Sequence, residues 1–447
     1  MNPEITSFEG LNLFGARVNL HVENGTIVEV KRSESGDSDA VALPALIDLH
    51  THLREPGDGT SETIATGTAA AARGGYSDVF AMANTTPTTD TVERVRTARR
   101  LSEGMPARVH PISAATIGLE GIELVDVPAL AADGVRIFSD DGHCVDDDDL
   151  ARALLAQMAE HGTVFAQHAQ RSSIVKDGVI NERVAARAGA PGWPVSGEAV
   201  IIARDIKLAA ETGGRLHVCH ISTAESVELI RDAKARNLPV TAEVTPHHLQ
   251  LSDDDAVRTG PALKVNPPLR SPEDIRALRA ALLDGTIDVI GTDHAPHSAA
   301  KKAGDWRTAA FGLTALETAL PIVIETMEEE GALDWHRIAD LFAHAPARIG
   351  GIADRAGRPL TVGEPASFCV VAPGLQVVHG ADQTTMSDNT PFEGRILRWQ
   401  VILTVVDGCI TYYDNRRVSF SGTTCSFNAF ASSADGASTT QKDEHGC

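Results

Sequence analysis

Residues 45–52 read ALIDLHTH, an apolar run that ends in two histidines separated by one residue. The run predicts a buried β-strand at the start of the main fold. In a strand, residues i and i+2 face the same side of the sheet. We therefore expect His50 and His52 to point inward together, about 6–7 Å apart at the usual rise of roughly 3.3 Å per residue.

Similar strand-like segments recur through the middle of the chain and alternate with helix-like segments. The strand candidates are residues 45–52, 77–84, 108–115, 134–141, 163–168, 216–222, 240–248 and 287–294. Several segments between them begin at Ser, Thr or Asp and end at Gly or Asn, as helix capping predicts. Strands that are each followed by a helix indicate an α/β protein built as a (β/α)8 TIM barrel. A doubly wound open sheet is the alternative, but no glycine-rich phosphate loop follows the first strand.

Both ends of the chain are β-rich and differ from the middle. Residues 22–30, VENGTIVEV, carry a hairpin signal at Asn24-Gly25, and residues 402–413, ILTVVDGCITYY, carry one at Asp407-Gly408. We expect residues 1–44 and 353–417 to form a small β-sandwich domain beside a barrel of residues 45–352. Residues 418–447 are rich in Ser, Thr, Ala and Gly, which predicts a disordered tail.

Polar residues collect at the ends of the predicted strands. In a barrel, the active site lies at the C-terminal ends of the strands. The residues there are His50, His52, Asn84, Asp140, Asp141, His168, His220, His247, His248, Asp293 and His294. Neutral imidazoles that converge with carboxylates are a zinc-type ligand set. The spacing HxH, joined by His168, His220 and Asp293 from other strand ends, therefore predicts a metal site.

Two adjacent aspartates end the strand GVRIFSDD, and strand alternation lets only one of them face the interior. Alternation places Val135, Ile137, Ser139 and Asp141 on one face and Arg136, Phe138 and Asp140 on the other. Burying Arg136 inside a barrel would be costly, so we expect the first face to point inward. Asp141 is the predicted metal ligand, and Asp140 is expected to be a supporting or structural carboxylate.

Composition excludes several classes of protein. The formal net charge of -22 argues against nucleic acid or an anionic membrane as a partner, and an anionic small-molecule substrate would need a locally positive site. No stretch reaches the roughly 18 apolar residues of a membrane span, and the start MNPEITSFEG lacks the features of a signal peptide. The six cysteines are scattered, which is typical of reduced thiols in a cytoplasmic protein.

Five motifs follow one another through the middle of the chain. They are IDLHTHLREPG at 47–57, HVCHIST at 217–223, VTAEVTPHHL at 240–249, KVNPPLR at 264–270 and IDVIGTDHAPH at 287–297. In this order they resemble the class I dihydroorotases of the amidohydrolase superfamily, and the similarity spans about residues 40–330. The resemblance implies a barrel that holds two zinc ions and reversibly cyclises N-carbamoyl-L-aspartate to L-dihydroorotate in de novo pyrimidine biosynthesis.

The resemblance also implies roles for individual residues. One metal would be held by His50, His52 and Asp293, the other by His168 and His220, and Asp141 would bridge the two. The substrate contacts would be Arg54, Asn84 and His297 on the carboxylate, with Asn266, Phe311 and Gly312 facing the pyrimidine ring. Asp293 would be the catalytic residue that moves a proton from water to the ring nitrogen. Residues 303–312, AGDWRTAAFG, have the composition of a mobile loop over the substrate or of a static connector.

Two other functions stay open at this point. Hydantoinases and allantoinases are related cyclic amidohydrolases that bridge their metals with a carbamylated lysine, but GVRIFSDDG contains no lysine. An inactive relative could serve as a scaffold for a partner enzyme, although such relatives lose metal ligands and all six positions are filled here. We also expect a homo-oligomer, and aspartate transcarbamoylase is a candidate partner because some relatives bind it.

Overall fold

The computed structural model describes residues 6–33 and 39–427. The strands are β1 Ser7–Leu13, β2 Ala16–Glu23, β3 Thr26–Arg32, β4 Val41–Pro44, β5 Leu46–Thr51, β6 Tyr76–Ala81, β7 Arg108–Pro111, β8 Ile137–Phe138, β9 Val164–Gln167, β10 Ile180–Asn181, β11 Gly192–Trp193, β12 Arg215–Val218, β13 Val240–Val244, β14 Val289–Ile290, β15 Phe368–Val377, β16 Ile396–Val406, β17 Cys409–Tyr413, β18 Val418–Ser421 and β19 Thr424–Phe427. The α-helices are α1 Ile64–Arg73, α2 Val92–Leu101, α3 Val127–Ala132, α4 Asp148–His161, α5 Ser172–Val175, α6 Ala185–Ala188, α7 Ser196–Thr212, α8 Ala224–Ala235, α9 Pro246–Gln250, α10 Asp253–Thr259, α11 Pro272–Asp284, α12 Ala299–Lys302, α13 Ala319–Glu329, α14 Trp335–Ala339 and α15 Ala345–Ile349. Short 3-10 turns lie at Ile117–Leu119, Glu182–Val184, Pro261–Leu263 and Gly380–Asp382, and a π-helical turn at Asp340–His344. The predicted α/β class is confirmed.

Eight of these strands form two parallel sheets in the middle of the chain. The sheets have the orders β5-β6-β7 and β14-β13-β12-β9-β8, and every pair in them is parallel. Isolated bridges join their edges: Ser113, after β7, pairs with Phe138, and Thr51 pairs with His294, after β14. The strands therefore follow one another in space in chain order, with their C-terminal ends on the same side.

Helices lie between consecutive strands of these sheets, and their ends are set by local capping. At the start of α1, the Thr63 hydroxyl accepts a hydrogen bond from the Thr66 amide, and the Thr66 hydroxyl accepts one from the Thr63 amide. Ser271 forms the same kind of reciprocal pair at the start of α11. Helices α4 and α11 end at Gly162 and Gly285, whose φ angles of 65° and 86° lie in the left-handed region that favours glycine. These caps turn the chain back toward β9 and β14.

Nine strands from the two ends of the chain form a separate mixed sheet. Its order is β17-β16-β15-β4-β1-β19-β18, and the β2–β3 hairpin extends from β1. Both hairpins predicted from the sequence are confirmed, with turns at Asn24-Gly25 and Asp407-Gly408. The two turns also touch, because a Cβ atom on Gly25 would lie 2.6 Å from the carbonyl oxygen of Asp407. Glycine is therefore required there by space as well as by its φ of 75°.

Residues 418–427 differ from the disordered tail that the sequence predicted. They form β18 and β19, and β19 pairs in parallel with β1, where Phe8 lies opposite Cys425. Cys425 is buried, and the Phe420 ring packs edge-on against Tyr413 at 5.2 Å. The composition indicated disorder. Strand β4, however, pairs with β1 only near the C-terminal end of β1, so the other end of β1 is free to pair with β19. Composition does not reveal such a free edge. The prediction was wrong for residues 418–427, and its remainder, 428–447, lies outside the described residues.

Ending the chain after Asn415 is expected to lower the free energy of unfolding by about 2–4 kcal/mol, because it removes the buried Val418 and Cys425 side chains. Ending it after Phe427 keeps β18 and β19, so this chain is the reference in which both strands are present. Calorimetry of the two shortened chains and the full chain measures the difference. Equal melting temperatures for the two shortened chains would contradict a contribution from these strands.

The helices and the cysteines of the described residues can be compared with two predictions made from composition, the lack of a membrane span and the reduced state of the thiols. Within residues 6–33 and 39–427, no helix is both long and apolar enough to cross a membrane. Cys144, Cys219, Cys369 and Cys425 are free, as the scattered spacing of the cysteines predicted. Burial raises the pKa of the Cys144 and Cys425 thiols to about 12, so both stay protonated at neutral pH.

Candidate active site

Six side chains predicted as metal ligands meet at the C-terminal ends of the parallel strands. His50 lies on β5 and His52 directly follows it, Asp141 follows β8, His168 follows β9, His220 follows β12 and Asp293 follows β14. All six are at most 5% exposed. One end of the paired sheets therefore concentrates buried imidazoles and carboxylates.

Asp141 lies at the centre of this group. Its Oδ1 atom is 3.2 Å from His50 Nε2, 3.2 Å from His168 Nδ1 and 3.5 Å from His220 Nε2. Its Oδ2 atom is 3.3 Å from His52 Nε2. The Asp141 carboxylate thus lies between imidazoles from three strand ends, an arrangement suited to a ligand shared by two ions.

Asp293 forms the second carboxylate of the group. Its Oδ1 atom lies 3.1 Å from His52 Nε2 and 3.6 Å from His50 Nε2. The backbone of Asp293 has a φ of 45°, and that of His220 a φ of 30°. Positive φ is uncommon for residues other than glycine and costs conformational energy. The fold therefore holds both side chains in orientations that a relaxed strand end would not give.

Asp140 points away from the group and stabilises the neighbouring loop. Its Oδ1 atom accepts the backbone amides of Ala115 and Thr116 at 2.8 and 2.9 Å, and its Oδ2 atom accepts the Thr116 hydroxyl. Burial raises its pKa, although these hydrogen bonds act in the opposite direction. The structure thus places Asp141 among the imidazoles and gives Asp140 a structural position between β7 and β8.

Glu243 on β13 was not singled out by the sequence reasoning, yet it fixes two of the histidines. Its Oε1 atom accepts from His50 Nδ1 at 2.5 Å and from the backbone amide of His220 at 3.1 Å. Its Oε2 atom lies 3.1 Å from His217 Nε2. Although burial opposes it, the charge of His50 and the hydrogen bond from His217 keep the pKa of Glu243 well below its usual range. An acidic residue inside an otherwise apolar strand was the signal that could have identified it.

Asp48 on β5 is a second functional residue that the sequence reasoning did not select. It accepts the Thr292 backbone amide at 2.9 Å and the Thr292 hydroxyl at 2.5 Å, and it also accepts the Thr51 hydroxyl. These bonds hold the end of β5 against the end of β14. They therefore set the position of His50 relative to Asp293. Asp48 shares a strand face with His50, and that parity was the available signal.

The imidazole tautomers test whether a metal fits this group. His50 Nδ1 donates to Glu243, His52 Nδ1 lies 2.9 Å from Asn84 Oδ1, and His168 Nε2 lies 3.0 Å from Gln170 Oε1. Oxygen atoms of carboxylates and amides accept only, so these ring nitrogens carry the protons. The other ring nitrogens face Asp141 and Asp293, and their lone pairs would be repelled by these carboxylates unless a proton or a metal ion lies between them.

The electrostatics of the group agree with that conclusion. His50 Nε2 is buried without a hydrogen-bond partner. Burial opposes a charge on His50, but Asp141 and Glu243 raise its pKa well above the usual value, so the site attracts positive charge. The ligand atoms of His50, His52 and Asp293 lie within 4.8 Å of one another, and so do those of His50, Asp141 and His220. The residues present therefore fit a divalent metal with nitrogen and oxygen ligands.

Arg54, His297 and Phe311 meet beside the metal-ligand group. The Arg54 guanidinium lies 3.3 Å from His297 Nε2, and that same nitrogen lies 2.6 Å from the Phe311 carbonyl oxygen. A carbonyl only accepts, so His297 Nε2 carries its proton and donates to Phe311. Burial and the charge of Arg54 lower the pKa of His297 to about 3. His297 is therefore neutral, and Arg54 supplies the positive charge on this side of the site.

Asn84 and Asn266 occupy different positions around the group. Asn84 binds His52 through Oδ1 and donates its Nδ2 to the Asp141 carbonyl at 3.3 Å, so it already supports two of the proposed ligands. Asn266 donates Nδ2 to Gln170 Oε1 at 3.2 Å, while its buried Oδ1 has no hydrogen-bond partner. Gln170, which sequence reasoning did not select, thus connects Asn266 to His168.

Comparisons with known proteins agree with this geometry. A family model described as Dihydro-orotase-like matches residues 39–226. A dihydroorotase of Streptomyces coelicolor is 46% identical over 93% of this chain and 96% of its own length. A dihydroorotase of Mycobacterium tuberculosis is 43% identical over 90% and 96%. The structure of an L-hydantoinase from Arthrobacter aurescens superimposes with a TM-score of 0.82 over 95% of this chain and 99% of that one, at 23% identity, which shows a shared fold.

Proposed function

The chain belongs to the dihydroorotase family of metal-dependent cyclic amide hydrolases, and from this premise we propose that it reversibly cyclises N-carbamoyl-L-aspartate to L-dihydroorotate in pyrimidine biosynthesis. The observation that carries the proposal is the set of fixed imidazoles that face Asp141 and Asp293 in a buried site. The order of the five motifs supports class I within the family.

We propose that the two parallel sheets are the two halves of one closed (β/α)8 barrel. The bridges at both edges and the spatial order of the strands support closure. The barrel would span residues 45–352, and the sheet built from residues 1–44 and 353–417 would be a second, sandwich-like domain. A barrel explains why ligands from five strand ends meet at one point.

Two zinc ions are the metals that we propose for this site. His50, His52 and Asp293 would hold one ion, His168 and His220 the other, and Asp141 would contact both. When bound, the ions would supply Lewis acidity that activates water and polarises the ring amide carbonyl. The histidine and carboxylate ligands are typical of zinc in proteins.

Asp293 would move the proton during ring opening. Burial acts against ionisation, but the imidazoles of His52 and His50 lower the pKa of Asp293 to about 2, so it is a carboxylate at neutral pH. It would accept a proton from the attacking water and deliver it to the ring nitrogen as the amide bond breaks. Ring closure runs the same transfers in reverse, and water is released.

Arg54 and the residues beside it would orient the substrate. The planar guanidinium of Arg54 is suited to a carboxylate, which it can bind through two parallel hydrogen bonds. His297 and Asn84 would border the same carboxylate. The unpartnered Oδ1 atom of Asn266 would accept a ring N–H, and the Phe311–Gly312 backbone would line the ring face.

The alternative functions are less well supported by the site. A hydantoinase or allantoinase of this superfamily would need a lysine bridge, but the Lys264 amine donates to the carbonyls of Arg307 and Ala309 instead. An inactive scaffold would not need six ligand side chains held in place. Assembly into a homo-oligomer or with aspartate transcarbamoylase stays a prediction.

An assay of the zinc-loaded protein with L-dihydroorotate, hydantoin and allantoin tests the proposed function. We expect kcat/KM for L-dihydroorotate to exceed that for the other two by roughly 100-fold or more, because only this substrate offers Arg54 a carboxylate. The variant Asp293→Asn is the control for contaminating activity. Preferred turnover of hydantoin or allantoin would replace the proposal with the corresponding alternative.

A further inference from the structure

Two lysines lie behind the Phe311–Gly312 segment, and neither forms an ion pair with a carboxylate of the described residues. Lys264 is 2% exposed and Lys302 is half-buried. Lysine is rarely buried without a partner, because its ammonium group loses hydration. Backbone carbonyl groups replace that hydration here. Most of these carbonyls belong to one loop, so the positions of the two ammonium groups depend on the conformation of that loop.

Lys302 uses all three of its donors on main-chain carbonyls. Its Nζ atom lies 3.0 Å from each of the carbonyl oxygens of Lys264, Ala310 and Gly312. Burial and the nearby charge of Lys264 lower the pKa of Lys302 to about 7, so the fold holds this ammonium at an energetic cost. The ammonium thereby fixes the residues on both sides of Phe311.

Lys264 holds the preceding part of the same loop. Its Nζ atom donates to the carbonyl oxygens of Ala309 at 2.7 Å and Arg307 at 3.3 Å, and it lies 4.2 Å from the centre of the Phe311 ring. The Lys264 carbonyl also accepts the Gly312 amide at 3.0 Å. The segment that the sequence left as a mobile loop or a static connector is therefore held from inside by two ammonium groups.

The Phe311 carbonyl connects this loop to the proposed substrate site. It accepts the proton of His297 Nε2 at 2.6 Å, and the Arg54 guanidinium lies 3.3 Å from that nitrogen. A shift of the loop would move the Phe311 carbonyl and release the His297 ring. The orientation of His297 beside Arg54 therefore depends on the carbonyls that Lys302 holds.

We propose that Lys302 is a positioning residue for substrate binding, whose ammonium fixes the Ala310 and Gly312 carbonyls so that Phe311 orients His297 beside Arg54. The inference rests on the proposed function, because it assigns the substrate to that side of the site. The recorded hydrogen bonds of the Lys302 amine all go to backbone carbonyls, and none of them involves a proposed metal ligand. Its loss should weaken substrate binding and leave the metal site intact.

The test compares Lys302→Met with Lys301→Met in the zinc-loaded full chain. Lys301 is the adjacent lysine, but its amine lies on the exposed side near Asp58, Thr60 and Ser61. We expect Lys302→Met to raise KM for L-dihydroorotate by about tenfold or more while kcat changes by less than about threefold. Zinc content should equal that of the wild type, and Lys301→Met should match the wild type throughout.

Hydrogen–deuterium exchange of peptides that cover residues 303–312 gives a readout independent of activity. Faster exchange in Lys302→Met, but not in Lys301→Met, is expected with and without substrate. Unchanged exchange or an unchanged KM would overturn the proposal. A fall in kcat or in zinc content by as large a factor as the rise in KM would also overturn it. Lys302→Gln, which keeps one donor group, is measured in the same way if Lys302→Met does not fold. Absence of dihydroorotate turnover in the wild type would instead reject the proposed function.

Discussion

Asp141→Asn is expected to lose most of its zinc and at least about 1,000-fold of its activity. The Asp141 carboxylate lies within 3.5 Å of four imidazoles, and it is the side chain that faces both proposed metal positions. An amide has the same shape but no charge to offset two dications. Metal content by elemental analysis and turnover of L-dihydroorotate are the measurements.

Asp140→Asn is the matched control, because it makes the same chemical change at the adjacent residue. Asp140 accepts hydrogen bonds from Ala115 and Thr116 and contacts none of the imidazoles in the group. The variant should keep its zinc and lose about 1–3 kcal/mol of stability, because an amide replaces a buried acceptor. Loss of zinc in Asp140→Asn with retention in Asp141→Asn would reverse the assignment of the two aspartates.

The same assignment makes assembly of the site independent of carbon dioxide. A bridging aspartate needs no carbamylation, so zinc should restore equal activity with and without bicarbonate. Dependence on bicarbonate would indicate a carbamylated lysine, and Lys264 would be the first residue to test. The present contacts of Lys264 with the 303–312 loop argue against that outcome.

The choice of Asp141 shows how much of the site can be predicted from the alternation of side chains along a strand. The parity argument needs regular alternation, yet the strand itself ends at Phe138. The backbone amide of Asp141 donates to Ser139 Oγ at 3.1 Å, which keeps the next residues in a defined turn. Parity therefore selected the residue that the structure places at the centre, although the strand is shorter than the pattern indicated.

Glu243 and the end of the chain show where sequence reasoning stops. The acidic residue in VTAEV was visible, but its partner His50 lies 193 residues away, and only the tertiary structure brings the two together. The strands at residues 418–427 depend on a free edge of β1 that is distant in sequence. Composition and local periodicity describe a segment by itself, so they cannot reveal a partner that tertiary structure supplies.

Arg54→Met is expected to reduce kcat/KM for L-dihydroorotate by about 100- to 1,000-fold while zinc content stays near that of the wild type. Removing a guanidinium that binds a buried carboxylate costs roughly 2–5 kcal/mol, a range that contains the roughly 3–4 kcal/mol to which this loss corresponds. Methionine keeps an unbranched side chain, which suits the φ of 55° at this position. Steady-state kinetics and elemental analysis of the same preparation measure both quantities.

Arg54→Lys separates the charge of the side chain from its shape. Lysine keeps a positive charge but cannot form two parallel hydrogen bonds, so its kcat/KM should lie between those of wild type and Arg54→Met. Burial and the charge of Arg54 both lower the pKa of His52. We expect His52 to remain a metal ligand when the charge of Arg54 is removed. Loss of zinc in Arg54→Met would therefore assign Arg54 to the support of the metal site, and normal kinetics would exclude a role in binding the substrate carboxylate.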